Sequence, residues 1–387
     1  MTIGASRRCS DTRWSLGVGS FQLGNAGSTA QCPVHGVAVR SVAGSADGGW
    51  AYADAVRVVV APDKFRGTLG AVEAAAAIAA PLRAAGHDVV EVPMADGGEG
   101  TLDALGGANR TTIVSGPLGG PVEALWRLSG RNAVIEMARA SGLALVDEVD
   151  AVAASTYGTG ELIAAAVEAG ATHLIVGLGG SATTDGGSGA LRALYPTAHL
   201  RGVRIEVACD VTTRFTDAAR VFAPQKGASP VQVEFLTRRL DALVEHYRAE
   251  YGVDVSTLEG AGAAGGLAGG LACVGAQLVP GVELVADAVG LGEAIEAADL
   301  VVTGEGHLDT ESFAGKVVGG VAELAAEAGV PCVALVGDAD PVDAPIPVWS
   351  LTDRFGAERA LGDAAACLGE LALDVALFGE SAVGRSR

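Results

Sequence analysis

The sequence predicts an α/β fold: a parallel sheet built from both ends of the chain, with a second α/β domain inserted between them. Two observations predict it. At both ends, short apolar runs rich in β-branched residues lead into Gly- and Asp-rich loops and then into Ala-rich helical stretches. In the middle, short alternating strands are punctuated by Gly and Pro turns. With 387 residues, 49% of them hydrophobic, the chain has material for two such cores.

Element by element, RVVVAP (57–62) reads as a buried strand, and the helix that follows it runs from Ala71 to Ala85 and stops at Gly86. DVVEVPM (88–94) is the next strand, and so short a crossover implies a parallel, right-handed βαβ unit. Loop ADGGEG leads to a short helix. RTTIVSG, PVEALWRLSG and NAVIEMA then read as strands, TYGTGELIAAAVEAG as a helix, THLIVGLGG and RIEVACD as strands, and 230–251 as a long amphipathic helix. AGAAGGLAGGLACVGAQLV places small residues at helical spacing. ADLVVTGEG is a strand running into a loop, GKVVGGVAELAAEAG a helix, PCVALVG and PVWSL strands, and 357–373 a final helix. The expected division is 56–94 with 288–376 as the sheet of the chain ends, 95–287 as the insert, and 377–387 as a tail. Residues 1–55 lack periodicity and read as a poorly ordered extension or a misassigned start.

The charge balance excludes several partners. Lys plus Arg is 26 and Asp plus Glu is 46, a net charge of −20, so nucleic acid and anionic membranes repel the chain. No apolar run is long enough to span a membrane, and no signal peptide is evident. The six cysteines have no C-x-x-C spacing, which fits reduced thiols in a cytoplasmic protein. Scattered histidines argue against zinc.

Chemistry concentrates in loops that follow strands: Asp63–Gly67, Asp96–Gly100, Gly179–Gly187, Cys209-Asp210 and Gly304–Asp309. Each brings a carboxylate to a strand's end, and acidic groups beside Gly-lined pockets suit a phosphate reaction bridged by a divalent cation. Only Lys64, Lys226 and Lys316 are lysines, against 23 arginines, and all three lie in Gly- or Pro-flanked turns. A lysine is a compact charge suited to a phosphate oxygen. Gly177 to Ala182 matches a dinucleotide fingerprint, but TTDGGSG breaks the helix that should follow. There is no Walker A sequence and no G-x-S-x-G.

The segments APDKFRGTL, PMADGGEGTLDAL, GLGGSATTDGGSGAL, EVACDV, APQKGAS, GAGAAGGLAGGL and TGEGHLDTESFAGKV resemble the glycerate kinases of the bacterial glyoxylate and glucarate pathways, in family order from Arg57 to Leu373. The resemblance implies a Rossmann-like domain from both chain ends, an inserted α/β domain, and an active site in the cleft between them. It implies transfer of the γ-phosphoryl group of ATP to D-glycerate with Mg²⁺, giving 2-phosphoglycerate rather than 3-phosphoglycerate. On that basis Asp185 is a candidate base or hydroxyl orienter, against the plainer role of closing its own turn. Asp210 is a candidate base or metal ligand and Asp96 a metal or substrate ligand, with Glu99 a weaker one. Lys64 and Lys316 are candidates for the transferred phosphate, the latter at a helix start. Arg66 can grip a carboxylate in two-point fashion, and Ser181, Glu305 and Asp309 join it as substrate contacts. Gly179, Gly180 and Lys226 are candidates for holding the nucleotide.

Three departures from the family pattern stand out: a shortened 195–203 segment, an altered 213–222 loop, and His307 where relatives carry Arg. They leave open a second reading, a catalytically weakened sensor of a small hydroxy acid or nucleotide. The expected partners are small molecules alone, with the chain a monomer or homodimer.

Overall fold

The computed structural model describes residues 55–383, with side chains as far as Val375. The expectation of a poorly ordered 1–55 extension, with Cys9 and Cys32, therefore lies outside the described residues, Ala55 excepted.

Eleven described strands form two sheets: β1 Arg57–Pro62, β2 Asp88–Glu91, β3 Arg110–Ser115, β4 Pro121–Ser129, β5 Asn132–Glu136, β6 His173–Gly177, β7 Arg204–Ala208, β8 Gln277–Val279, β9 Leu300–Leu308, β10 Cys332–Ala339 and β11 Val348–Ser350. The first sheet has the order β11-β10-β9-β1-β2 and is parallel throughout. It joins the two ends of the chain, as the apolar runs predict. Its strands are continuous hydrophobic runs because both faces are covered. Successive β1 residues point to opposite faces: Val58 and Val60 meet Ile78 and Leu82 of helix Ala71–Ala84 and Leu368 and Leu371 of the last helix, while Val59 and Ala61 meet Val285, Val317 and Val321.

The second sheet, β3-β4-β5-β6-β7-β8, comes from the middle of the chain. β3, β4 and β5 pair antiparallel, and β5 to β8 run parallel. Its core packs Ile135, Leu174, Val176 and Val207 against Leu162 and Ile163 of helix Tyr157–Glu168. Helix Gly281–Val289 serves both sheets, with Leu284 against Ile175 and Ala208 and with Val282 and Val285 in the core of the first sheet. The expected boundary at 287 thus falls inside a helix.

Four segments differ from the sequence expectation. The small-residue stretch is not one helix: Ala264, Gly265 and Gly266 are left-handed inside Ala263–Ala272, and Gln277–Val279 pairs as β8. The reason is close packing, since a Cβ on Gly265 would sit 2.0 Å from the Thr183 carbonyl oxygen. Residues 304–308 are strand rather than loop, because β10 continues beside them to the pair Ala339 and Leu308. The final helix breaks at Asp363 and resumes as Ala364–Val383, beyond Leu373 and into the expected tail. Residues 92–94 leave the regular strand but keep two ladder bonds, Val92 N to Val60 O and Met94 N to Pro62 O.

Candidate active site

The carboxyl ends of β1, β6, β7 and β9 and the segment after β2 bring most of the chemical loops together, the usual place for a ligand in parallel sheets. The loop Asp96-Gly97-Gly98 leaves the first sheet and lies against the ends of β6 and β7, where Leu178 N donates to Gly97 O at 3.1 Å. Glycine is required at position 97: φ is +84°, and a Cβ would stand 2.3 Å from that of Ala208. Asp96 Oδ1 accepts from Gly98 N at 3.0 Å, and Asp210 Oδ1 accepts from Gly281 N at 2.6 Å.

These loops place carboxylates in a row. Burial pushes Asp63 up to about 6, against the pull of Lys64, and Asp96 adds to the rise. Burial likewise raises Asp210 to about 7, against the Gly281 N–H, with Asp96 again adding. Glu305 is raised by burial and by Asp63 and Asp309, against Ser312 and Lys316, and its Oε1 is buried with no hydrogen-bond partner. Lys64 Nζ lies 3.5 Å from Asp63 and 3.8 Å from Asp96. The row holds more negative charge than its lysines neutralise. Among the described residues no three or more His, Cys, Asp or Glu gather into a metal cage. A carboxylate with phosphate oxygens and water is nevertheless the ordinary setting of Mg²⁺, so Asp96 and Asp210 fit such an ion as part of a substrate complex.

Two cavities open beside these loops, and Asp96 lines the smaller. The smaller, about 400 Å³, is lined by Asp96, Gly179, Gly180, Ser181, Asp210 and Lys226, with Leu143, Leu178, Phe222 and Ala264 as its apolar wall. Lys226 is 2% exposed, and its Nζ donates to Thr183 O at 2.5 Å and Ser181 Oγ at 3.3 Å. Burial lowers its amine to about 8, with Asp185 opposing. Ala264 is the one non-glycine residue with positive φ among those described, +53°, and its carbonyl accepts from Thr183 Oγ1. That backbone costs about 1–2 kcal/mol and is held by the contacts around it. The larger cavity, about 900 Å³, is lined by Lys64, Arg66, Thr68, Glu99, Asp103 and Arg139, among others.

Some candidates sit elsewhere or do other work. Asp185 is not in the lining of either cavity. Its carboxylate accepts from Thr156 N and Oγ1 (both 2.9 Å), Gly187 N and Gly189 N (both 3.1 Å) and Ser155 Oγ. Four of these five donors fall on Oδ2 and one, Gly187 N, on Oδ1, so the carboxylate ties its own loop to Ser155 and Thr156. Tyr247 and Arg239 brace the same loop through Gly186 O and Thr184 O. Asp309 caps the turn Thr310–Phe313 by accepting from Ser312 N. Lys316 pairs with Asp309 at 3.8 Å and Glu311 at 3.3 Å, at the start of helix Val317–Ala328. Its neighbour Gly315 shares a third cavity with Asp210, so this loop approaches the same end. His307 lies between Asp338 and Asp340, at 3.9 and 3.4 Å. The sequence reading missed Glu136 and Arg139; the signal was present, since Glu136 ends a strand as the other site carboxylates do.

Comparison with known proteins identifies the family. The model of the Glycerate kinase family matches residues 58–197 and 195–370. A glycerate 2-kinase of Escherichia coli (strain K12) is 40% identical over 343 residues, covering 78% of this chain and 87% of that protein. A glycerate kinase of Bacillus subtilis (strain 168) is 39% identical over 324 residues, covering 73% and 85%. A crystal structure described as glycerate kinase 2 of Salmonella typhimurium LT2 superposes with a TM-score of 0.73 at 35% identity, covering 84% of this chain and all of that one. With the family model matching most of the chain, this protein is a kinase that belongs to the glycerate kinase family.

Proposed function

We propose that the chain transfers the γ-phosphoryl group of ATP to D-glycerate, yielding 2-phosphoglycerate and ADP. The observation that carries this reading is the smaller cavity: one buried ammonium, Lys226, one hydroxyl, Ser181, and a carboxyl poised near neutrality, Asp210, in a space suited to a small acid. The Lys226 ammonium and Ser181 bind the glycerate carboxylate. The desolvated lysine gains its counter-charge on binding, which restores its proton affinity. Asp210 accepts the hydroxyl proton, and its position near 7 matches that task. With the carboxylate fixed at Lys226, the hydroxyl on the adjacent carbon is the nearer acceptor, and the name of the Escherichia coli relative supports position 2.

Mg²⁺ would be held by Asp96 with Asp210 nearby, and when bound it supplies charge neutralisation on the phosphates. Lys64, between Asp63 and Asp96, stands where the transferred group crosses from one cavity to the other. This reading exchanges the ligands expected from sequence for Arg66 and Lys226, because the smaller cavity holds one cation and the larger holds three. The domain division follows the sheets, with the second boundary drawn near Pro280 so that helix Gly281–Val289 stays with the core it fills. The test is ADP release with D-glycerate, L-glycerate, lactate and glycerol as acceptors. Turnover confined to D-glycerate is expected; equal turnover of glycerol would rule out a carboxylate contact at Lys226.

A further inference from the structure

The larger cavity contains two guanidinium groups to which glycerate binding gives no task. Arg66 lines it, exposed, with no hydrogen-bond or ion-pair partner among the described residues. Arg139 lines it too, and it is held from behind: its Nε donates to Glu136 Oε2 at 3.1 Å. The Glu136 side chain is 3% exposed, and its other oxygen accepts from Gly100 N and Leu102 N, both at 2.9 Å. One buried carboxylate therefore fixes both the end of the Asp96–Gly100 loop and one edge of the Arg139 guanidinium. The opposite edge, Nη1 and Nη2, makes no described bond, and a planar fork of this kind grips phosphate oxygens in pairs.

Surface charge balance does not explain this arrangement. The chain carries a net charge of −20, and Glu99 and Asp103 line the same cavity, yet neither forms an ion pair with Arg66 or Arg139. Glu73 is engaged elsewhere, accepting from Gly70 N and closing the start of helix Ala71–Ala84. Leu69, Val72 and Pro93 add an apolar wall on which a base can lie. At about 900 Å³ the space is at the upper end of ordinary ligand sites.

We infer that this cavity is the nucleoside triphosphate site, with Arg66 and Arg139 gripping the phosphates and Glu136 the positioning residue for Arg139. The inference rests on the kinase reading with ATP as phosphoryl donor, but not on the identity of the acceptor. The test is calorimetric titration of the full chain with Mg²⁺ and a non-hydrolysable ATP analogue, beside separate KM values for ATP and D-glycerate. Arg139→Ala should weaken analogue binding and raise KM for ATP about 10- to 100-fold, leaving KM for glycerate within about threefold. Arg139→Lys should recover only part, having charge without the fork. Glu136→Gln, which keeps an amide oxygen for Gly100 and Leu102, should raise KM for ATP about 3- to 10-fold and add nothing in the Arg139→Ala background. Unchanged nucleotide affinity in Arg139→Ala, or an effect that falls on glycerate instead, overturns the inference. The partly exposed Arg139 tolerates truncation, so its variant decides the matter even if Glu136→Gln fails to fold. If wild type binds the analogue in an Arg139-dependent way but does not phosphorylate glycerate, the acceptor reading fails and this one stands.

Discussion

Replacing Lys226 by Met should make the protein more stable and abolish its use of glycerate. Burial holds the ammonium down from its ordinary 10.5 to about 8. Below pH 8 the amine is protonated in both the folded and unfolded chain, and the folded chain bears the full desolvation cost, on the order of 3 kcal/mol. Between about 8 and 10.5 the folded chain sheds the proton while the unfolded chain keeps it, so this group's contribution to stability rises with pH across that window. Met fills a similar volume without charge. It also removes the donors to Thr183 O and Ser181 Oγ, which gives back about 1–2 kcal/mol. The net gain at pH 7 should be about 1–2 kcal/mol, and it should fall away or reverse by pH 10.5. Urea unfolding at both pH values measures it, with KM for glycerate rising at least about 100-fold in parallel. A variant less stable at pH 7 would show that burial does not strain Lys226, and an unchanged KM for glycerate would show that Lys226 is not a glycerate ligand.

Asp185→Asn must point an amide N–H at a backbone or hydroxyl donor, so it should lose about 2–4 kcal/mol in urea unfolding while the folded fraction keeps its KM values; a thousandfold fall in kcat at unchanged stability would instead make Asp185 the proton acceptor. Gly97→Ala should cost at least about 100-fold in kcat/KM, and the added change Ala208→Gly should recover part of it by removing the 2.3 Å clash, leaving the strain of a positive φ and a tight 3.3 Å contact with Gly281 Cα. Failure of that double variant to improve on the single one would argue against the fit of the loop into the β7 end. Asp210→Asn should lower kcat by about 10²- to 10⁴-fold while nucleotide binding persists, read by single-turnover kinetics and titration.

The strands and helices were legible where one physical signal fixes them. β1, β9 and β10 are apolar on both faces, and only a doubly covered parallel strand needs that. The loops at the strand ends were legible for the same reason, since Asp and Gly there interrupt the apolar runs. The left-handed turn at 264–266 was not, because side-chain periodicity carries no sign of φ, and Ala264 is not a residue that announces a positive one. The anchoring of Asp185 was not legible because two of its partners, Ser155 and Thr156, lie about thirty positions away and only the fold brings their donors to it. Glu136 and Arg139 escaped because the pair, three residues apart, has the spacing of an ordinary helix-surface ion pair. Burial of one partner and the backbone bonds it accepts make the difference, and neither is written in spacing.

Phosphoryl transfer to glycerate is tested most simply by ³¹P NMR of the protein with ATP, Mg²⁺ and D-glycerate. A 2-phosphoglycerate signal that grows with ADP one for one is expected. A 3-phosphoglycerate signal would contradict the placement of the acceptor hydroxyl beside the Lys226-bound carboxylate. No phosphoglycerate at all, with both ligands bound, would contradict phosphoryl transfer to glycerate itself.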